Sequence, residues 1–213
     1  MLRKQIRPAV AVTLVLMILT GLVYPAAVTG VAQALFPRQA NGSLVVVDGR
    51  AVGSALIGQS FADARYFHSR RSAAGAGYDD TLSAGSNKGP TNATLADTLI
   101  AGMVDSVVTL EGAERGHIPS DLVTSSGSGL DPHISPASAE LQVARVARER
   151  GTKPEDVRRL VARYTEERQF GFLGEPRVNV LMLNLALDST FGRHDSVRGA
   201  TLPGDDAQAA RNP

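Results

Sequence analysis

Between residues 124 and 136 the chain reads Thr-Ser-Ser-Gly-Ser-Gly-Leu-Asp-Pro-His-Ile-Ser-Pro, which sets Ser126, Ser128, Asp131 and His133 close together in one polar stretch. A serine hydroxyl, an imidazole and a carboxylate are the groups that hydrolytic acyl transfer uses as nucleophile, general base and orienting acid. On residue types alone, Ser128, Asp131 and His133 open the reading of an envelope hydrolase. The local pattern argues against it. Ser128 lies in Ser-Gly-Ser-Gly and not in the Gly-x-Ser-x-Gly elbow that presents a nucleophile on a strained turn. His133, between Pro132 and Ile134, reads as a loop hydrogen-bonder, and it pairs with Asp131 for proton transfer only if a nucleophile from elsewhere meets them.

Other chemistry is thin. Histidines 68, 117, 133 and 194 are dispersed, without His-x-His or His-Glu-x-x-His spacing, so no metal set is expected. Residues 85–92, Gly-Ser-Asn-Lys-Gly-Pro-Thr-Asn, resemble a phosphate loop only superficially, because no Gly-Lys-Ser or Gly-Lys-Thr occurs. The absence of cysteine removes disulfides and thiol ligands.

The elements that must position these residues follow from local signals. Gly127 and Gly129 permit turns or close backbone approach, and Pro132 and Pro136 fix φ, so residues 124–136 read as a shaped loop. Ser135-Pro136 is an N-cap and first-turn pair for a helix over residues 136–150, with Gly151 in the C′ position. Thr152-Lys153-Pro154-Glu155 has capping-box spacing and starts a second helix with Val157, Leu160, Val161 and Tyr164 on one face. The pair forms a helix-turn-helix corner. Upstream, Asn92 caps a helix whose Leu95, Leu99, Met103 and Val107 recur at i+4, and residues 118–123 are expected to run extended. Leu44, Val45, Val46 and Val47, then residues 51–57, flank Asp48-Gly49, a hairpin signal.

Phe61, Tyr66 and Phe67, among Arg65, Arg70 and Arg71, read as a partly buried corner rather than a contact surface. Residues 170–176 form a second shaped loop. Residues 177–188 are the most apolar stretch outside the N-terminus; Pro176 at their start favours a buried helix, with a strand left open by periodicity alone. Residues 191–213 lack an apolar stripe and are expected to be disordered.

From Pro8 to Pro37 the phenol of Tyr24 is the one ionisable group. Roughly 20 apolar residues at about 1.5 Å each cross a hydrocarbon core of about 30 Å, so residues 9–31 read as one transmembrane helix. A cleaved secretory signal is the competing reading, with Ala32-Gln33-Ala34 as a small-residue site; the apolar run continuing through Val28, Val31, Leu35 and Phe36 favours an anchor. Arg3, Lys4 and Arg7 precede the span and Arg38 alone follows it closely, which places residues 1–8 in the cytoplasm and residues 32–190 outside. Without those three cations the rest carries a slight acidic excess, which argues against nucleic acid as a partner for the helical corner. The expected fold is α+β: a single N-terminal transmembrane helix, then one soluble domain with a small antiparallel β unit and several helices.

Val-Tyr-Pro within the span, Leu35-Phe36-Pro37 followed by Gln39-Ala40-Asn41-Gly42-Ser43-Leu44, the Gly-Ser-Asn…Gly-Pro-Thr-Asn run, Ser-Gly-Ser-Gly-Leu-Asp-Pro-His-Ile-Ser-Pro and Gly-Phe-Leu-Gly-Glu-Pro-Arg-Val-Asn-Val belong together. This combination resembles the C subunit of the bacterial Kdp potassium-transporting P-type ATPase over about residues 5 to 190. Arg71, where the family usually has Pro, and Lys88, in place of an apolar residue, depart from its pattern.

The resemblance implies a non-catalytic subunit of a high-affinity, ATP-driven potassium uptake complex in the bacterial cytoplasmic membrane. Its implied partners are a channel-like potassium-binding subunit, an ATP-hydrolysing P-type subunit and a small membrane subunit. It also implies a catalytic chaperone that raises the ATP affinity of the hydrolysing subunit, with direct contact to nucleotide as one route. No cofactor is assigned to this chain: potassium is carried by one partner and ATP by another, and a domain outside the membrane cannot touch cytoplasmic nucleotide. Asn87, Asn92, Ser126, Ser128, Asp131, His133, Glu175 and Arg177 are the candidate partner-contact residues, and the Gly/Ser/Asn loops are candidates for covering the outer mouth of the potassium pathway.

Overall fold

A computed structural model describes residues 2–192, which form two compact units, one ending at Leu56 and one beginning at Ile57. The reading of residues 191–213 as disordered lies, from residue 193 onward, outside the described residues.

The first unit is led by a continuous helical rod: α1 (Leu2–Ile18), a π-helical turn (Leu19–Val23) and α2 (Tyr24–Leu35). Lys4–Leu35 is apolar and 32 residues long, which at about 1.5 Å per residue exceeds a hydrocarbon core of about 30 Å. Pro25 explains the wide turn. Its ring displaces the carbonyl four residues back and its nitrogen donates nothing, so the backbone opens upstream and the Tyr24 N–H reaches back to the Leu19 carbonyl. After a short helix α3 (Pro37–Ala40), β1 (Leu44–Val47) and β2 (Arg50–Ser54) pair antiparallel across Asp48 and Gly49, whose φ values of 51° and 78° match a primed hairpin turn. The second strand ends at Ser54, short of the expected Ile57, where the Ser54 Oγ turns to donate to the Gly42 carbonyl at 2.7 Å.

In the second unit, Asn92 does cap a helical segment, its Oδ1 accepting from the Leu95 N–H at 3.3 Å. That segment opens as a π-helix (Thr94–Ile100) before α4 (Ala101–Glu111). Only the later half of the expected stripe reaches a core, with Val107 buried against Leu122 and Val123. Residues 118–123 are not extended throughout: a helical turn α5 (Ser120–Val123) forms, and it aims Asp121 at the start of α6. The Asp121 carboxylate accepts from the Ser135 N–H (2.7 Å) and Ser135 Oγ (3.0 Å), a tertiary demand with no local signature.

The main core lies where α6 (Pro136–Arg150), α7 (Pro154–Arg163) and α8 (Val180–Phe191) pack on a three-stranded antiparallel sheet. Its strands run in the order β3 (His133–Ile134), β5 (Arg177–Asn179), β4 (Thr165–Glu166). Ser135 caps α6 through the Ser138 N–H, and Gly151 closes it at φ 63°. The expected capping box at Thr152 does not form. Pro154 takes the first helical position, which makes Lys153 the N-cap, with no side-chain bond, and leaves Thr152 one residue too early. The apolar stretch 177–188 divides into strand and helix, because Asn179 breaks in as an N-cap and accepts from the Met182 N–H at 3.1 Å.

Candidate functional site

The loop of residues 124–136 is tied on every side. Arg70 Nη1 donates to Asp131 Oδ2 at 2.9 Å, and Asp131 Oδ1 accepts from the His133 N–H at 3.0 Å, with the His133 Nδ1 at 3.4 Å. Burial pushes the Asp131 carboxyl upward, yet its bonds to the His133 ring and backbone and to Arg70 outweigh that and hold it below the usual carboxylate range. Ser128 Oγ accepts from the Leu130 N–H at 3.1 Å and lies 3.4 Å from Ser126 Oγ. Neighbouring segments close over the loop's carbonyls: Ser72 Oγ donates to Gly129 O (2.6 Å), Ser83 Oγ to Ser128 O (3.0 Å) and the Gly58 N–H to Leu130 O (2.8 Å). Gly129 adopts φ 71°, and a Cβ there would stand 2.8 Å from the Ala74 Cβ.

This geometry does not support the hydrolase reading. Asp131 is shared among Arg70, its own loop backbone and the His133 ring, but neither the Ser126 nor the Ser128 hydroxyl bonds to that ring among the described residues. A surface depression lined by Asp105, Ser106, Thr109, Leu110 and Arg148 contains none of these side chains. Among the described residues no three His, Asp or Glu side chains gather as a metal set.

The other candidates divide between two places. Asn87 is exposed at φ 51° and Asn92 serves as the helix cap; the segment carrying them joins the loop through Gly85, where a Cβ would stand 2.8 Å from the Gly127 carbonyl oxygen. Arg177 sits on β5, whose Asn179 is in register with His133 of β3, so it shares the loop's sheet. Arg177 pairs with its cross-strand partner Glu166 at 2.9 Å, and Glu175 pairs with Arg168 at 2.5 Å on the excursion between β4 and β5.

Two features escape a reading of the sequence. The first is Arg145, 1% exposed, which pairs with Glu111 at 2.9 Å and donates to the Tyr66 carbonyl and Gln142 Oε1 at 2.9 Å and to the Ala64 carbonyl. Gln142 and Asn184 bond the backbone of His68 and Phe67 in the manner of a strand partner, so Tyr66 and Phe67 form a buried corner, as expected. In a helix that also carries the exposed Arg148 and Glu149, Arg145 reads as one more solvent-facing charge. Its one signal is position, three residues after the buried Gln142 and beside the buried Val146. The second is the exposure of Phe170, Phe172 and Leu173: residues 170–176 read as a shaped loop, but no local signal shows that its apolar side chains face outward.

Comparison with known proteins bears on what such a chain is. A family model described as the c chain of the K+-transporting ATPase matches residues 6–189. The chain belongs to the KdpC family. A "Potassium-transporting ATPase KdpC subunit" from Gemmatimonas aurantiaca is 62% identical over 196 residues, covering 92% of this chain and 98% of that protein. Proteins of the same description from Koribacter versatilis and Myxococcus xanthus are each 53% identical, over 190 residues (89% of this chain, 96% of that protein) and 204 residues (93% and 96%). The resemblance read from the motifs is therefore confirmed. KdpC membership makes the chain a subunit type of a potassium-transporting ATPase, and its N-terminal apolar rod is a candidate membrane span.

Proposed function

We propose that this chain is a non-catalytic, single-pass subunit that assembles and stabilises an ATP-driven potassium uptake complex and raises the ATP affinity of its hydrolysing subunit. The observation that carries the non-catalytic part is the loop 124–136, whose serines, aspartate and histidine bond to the loop and its neighbours. These groups hold a shape, and their geometry provides no nucleophile–base contact. The positive charges before the span support an orientation with residues 1–8 in the cytoplasm and residues 32–190 outside.

In that orientation the folded domain meets a potassium-binding channel-like subunit near the outer mouth of the pathway. Its influence on ATP travels as a conformational linkage, through the span or through that subunit, since one site's free energy can bias another's occupancy without contact. Such coupling spans about 5- to 150-fold in affinity. The test is to purify the complex with and without this chain and titrate ATP at fixed potassium. A rise in the apparent KM for ATP of about fivefold or more on removal is expected; an unchanged KM together with normal potassium-stimulated turnover refutes the proposal. Cleavage of the folded domain by protease added to the cytoplasmic face refutes the orientation.

A further inference from the structure

The excursion between β4 and β5 ends in a finger whose tip is apolar and fully presented. Phe170 is 86% exposed, Phe172 71% and Leu173 48%. Of the five large apolar side chains left exposed between residues 57 and 192, these are three, the others being Leu82 and Leu110. The tip is pinned. Gln169 and Leu173 exchange both backbone hydrogen bonds at 2.9 Å, and the Phe172 N–H also reaches the Gln169 carbonyl at 3.2 Å. Phe170 stands at φ 53° and Gly171 at φ 81°, a turn that places a bulky residue in the left-handed region. Two aromatic rings and a leucine are thus held outward on a defined turn, with nothing among the described residues covering them.

The base of the finger has a collar of charge. Arg168 pairs with Glu175 at 2.5 Å and Arg177 with Glu166 at 2.9 Å, while the exposed Glu167 makes no ion pair among the described residues. A bilayer is a poor occupant for this tip. Interfacial anchoring favours Trp and Tyr with flanking cations, whereas the finger carries Phe and Leu with three acidic residues against two basic ones. An apolar centre inside a charged rim is the anatomy of a protein–protein contact, with aromatic anchors at its middle.

We infer that the finger 166–177 docks into an apolar recess, bearing a basic group on its rim opposite Glu167, on another protein subunit of the same complex. Phe170 and Phe172 fill the recess and Glu167 sets the register. The inference rests on the reading of this chain as an assembly subunit.

The experiment uses the full-length chain in its membrane complex, extracted in mild detergent and captured through this chain. If the unaltered chain brings down no ATPase subunits, the assembly reading itself fails, and the docking inference with it. If it does bring them down, F170S/F172S is expected to weaken association by about tenfold or more, and E167K by several-fold, with the E167K loss shrinking at high salt. Association within twofold of wild type for F170S/F172S overturns the inference. Where the double variant loses its far-UV dichroism, a photo-crosslinking phenylalanine analogue at position 172 decides: an adduct with a protein subunit supports docking, and an adduct with lipid alone, or none, overturns it.

Discussion

Removing the Arg145 side chain should be the most damaging single change in the folded domain, because its guanidinium and the carboxylate it pairs with are both buried. The guanidinium is 1% exposed and makes four hydrogen bonds: to Glu111 Oε1, to the carbonyls of Ala64 and Tyr66, and to Gln142 Oε1. The Glu111 side chain is buried too, and its second oxygen has no partner among the described residues. Burial raises the Glu111 carboxyl against the lowering pull of Arg145, so the pair is held by a balance that the cation supplies. Breaking a buried pair by deleting one partner costs about 3–5 kcal/mol, mostly the penalty for the charge left behind. At about 3–4 °C per kcal/mol for a domain of this size, R145M should lower the melting temperature by about 10–20 °C. The double variant R145M/E111L removes the stranded carboxylate and should recover about 1–3 kcal/mol relative to R145M, the rest reflecting the lost anchors on Ala64 and Tyr66. Melting followed by circular dichroism in detergent reads both numbers. A double variant as unstable as the sum of its singles would refute the argument, since additivity means the two groups do not depend on each other. A carboxyl raised on folding makes the native state bind more protons, so its contribution is full below pH 4.5 and is lost as pH rises through the folded value; E111Q removes that part of the profile.

Gly129→Ala should destabilise by about 2–4 kcal/mol, combining left-handed strain with a methyl forced against Ala74; an unchanged melting temperature would contradict the packing. Asp131 titrates lower when folded, so its contribution is present above pH 3.8 and lost as pH falls through its depressed value; in D131N this portion of the acid limb should vanish from a pH series of melts. Ser135→Ala should cost about 1–2 kcal/mol, because it removes the α6 cap and one bond to Asp121, and urea titration of the variant checks it.

The parts of the fold that are legible in the sequence are those whose causes are local. Thirty residues without a formal charge announce the long apolar helix, Asp48-Gly49 announces the hairpin, and Ser135 and Gly151 bracket α6 because a cap and a left-handed stop act within one turn. The misses have non-local causes. The α5 turn places Asp121 on a helix start 14 residues later. The strands β3, β4 and β5 are two or three residues long, too short to show alternation. At the loop, Ser, Asp and His are visible as neighbours, but the group that decides Asp131's role is Arg70, 61 residues upstream.

That distance changes what the loop can offer a partner. A side chain that recognises another protein must either have free hydrogen-bonding capacity or give up an internal bond, and each internal bond surrendered costs about 0.5–1.5 kcal/mol net. Ser126 is buried, and Asp131 and Ser128 already serve the loop, so substitutions here should act first on folding. The tip of the finger is the opposite case, because its apolar side chains are exposed and lose nothing by being covered. The two sites are therefore separable in one pair of measurements. D131N should lower the melting temperature while leaving capture of the complex intact at a temperature where the variant is folded, and F170S/F172S should do the reverse. If D131N weakens capture while the chain is still folded, the loop is itself a contact surface and its internal bonds are not its main task.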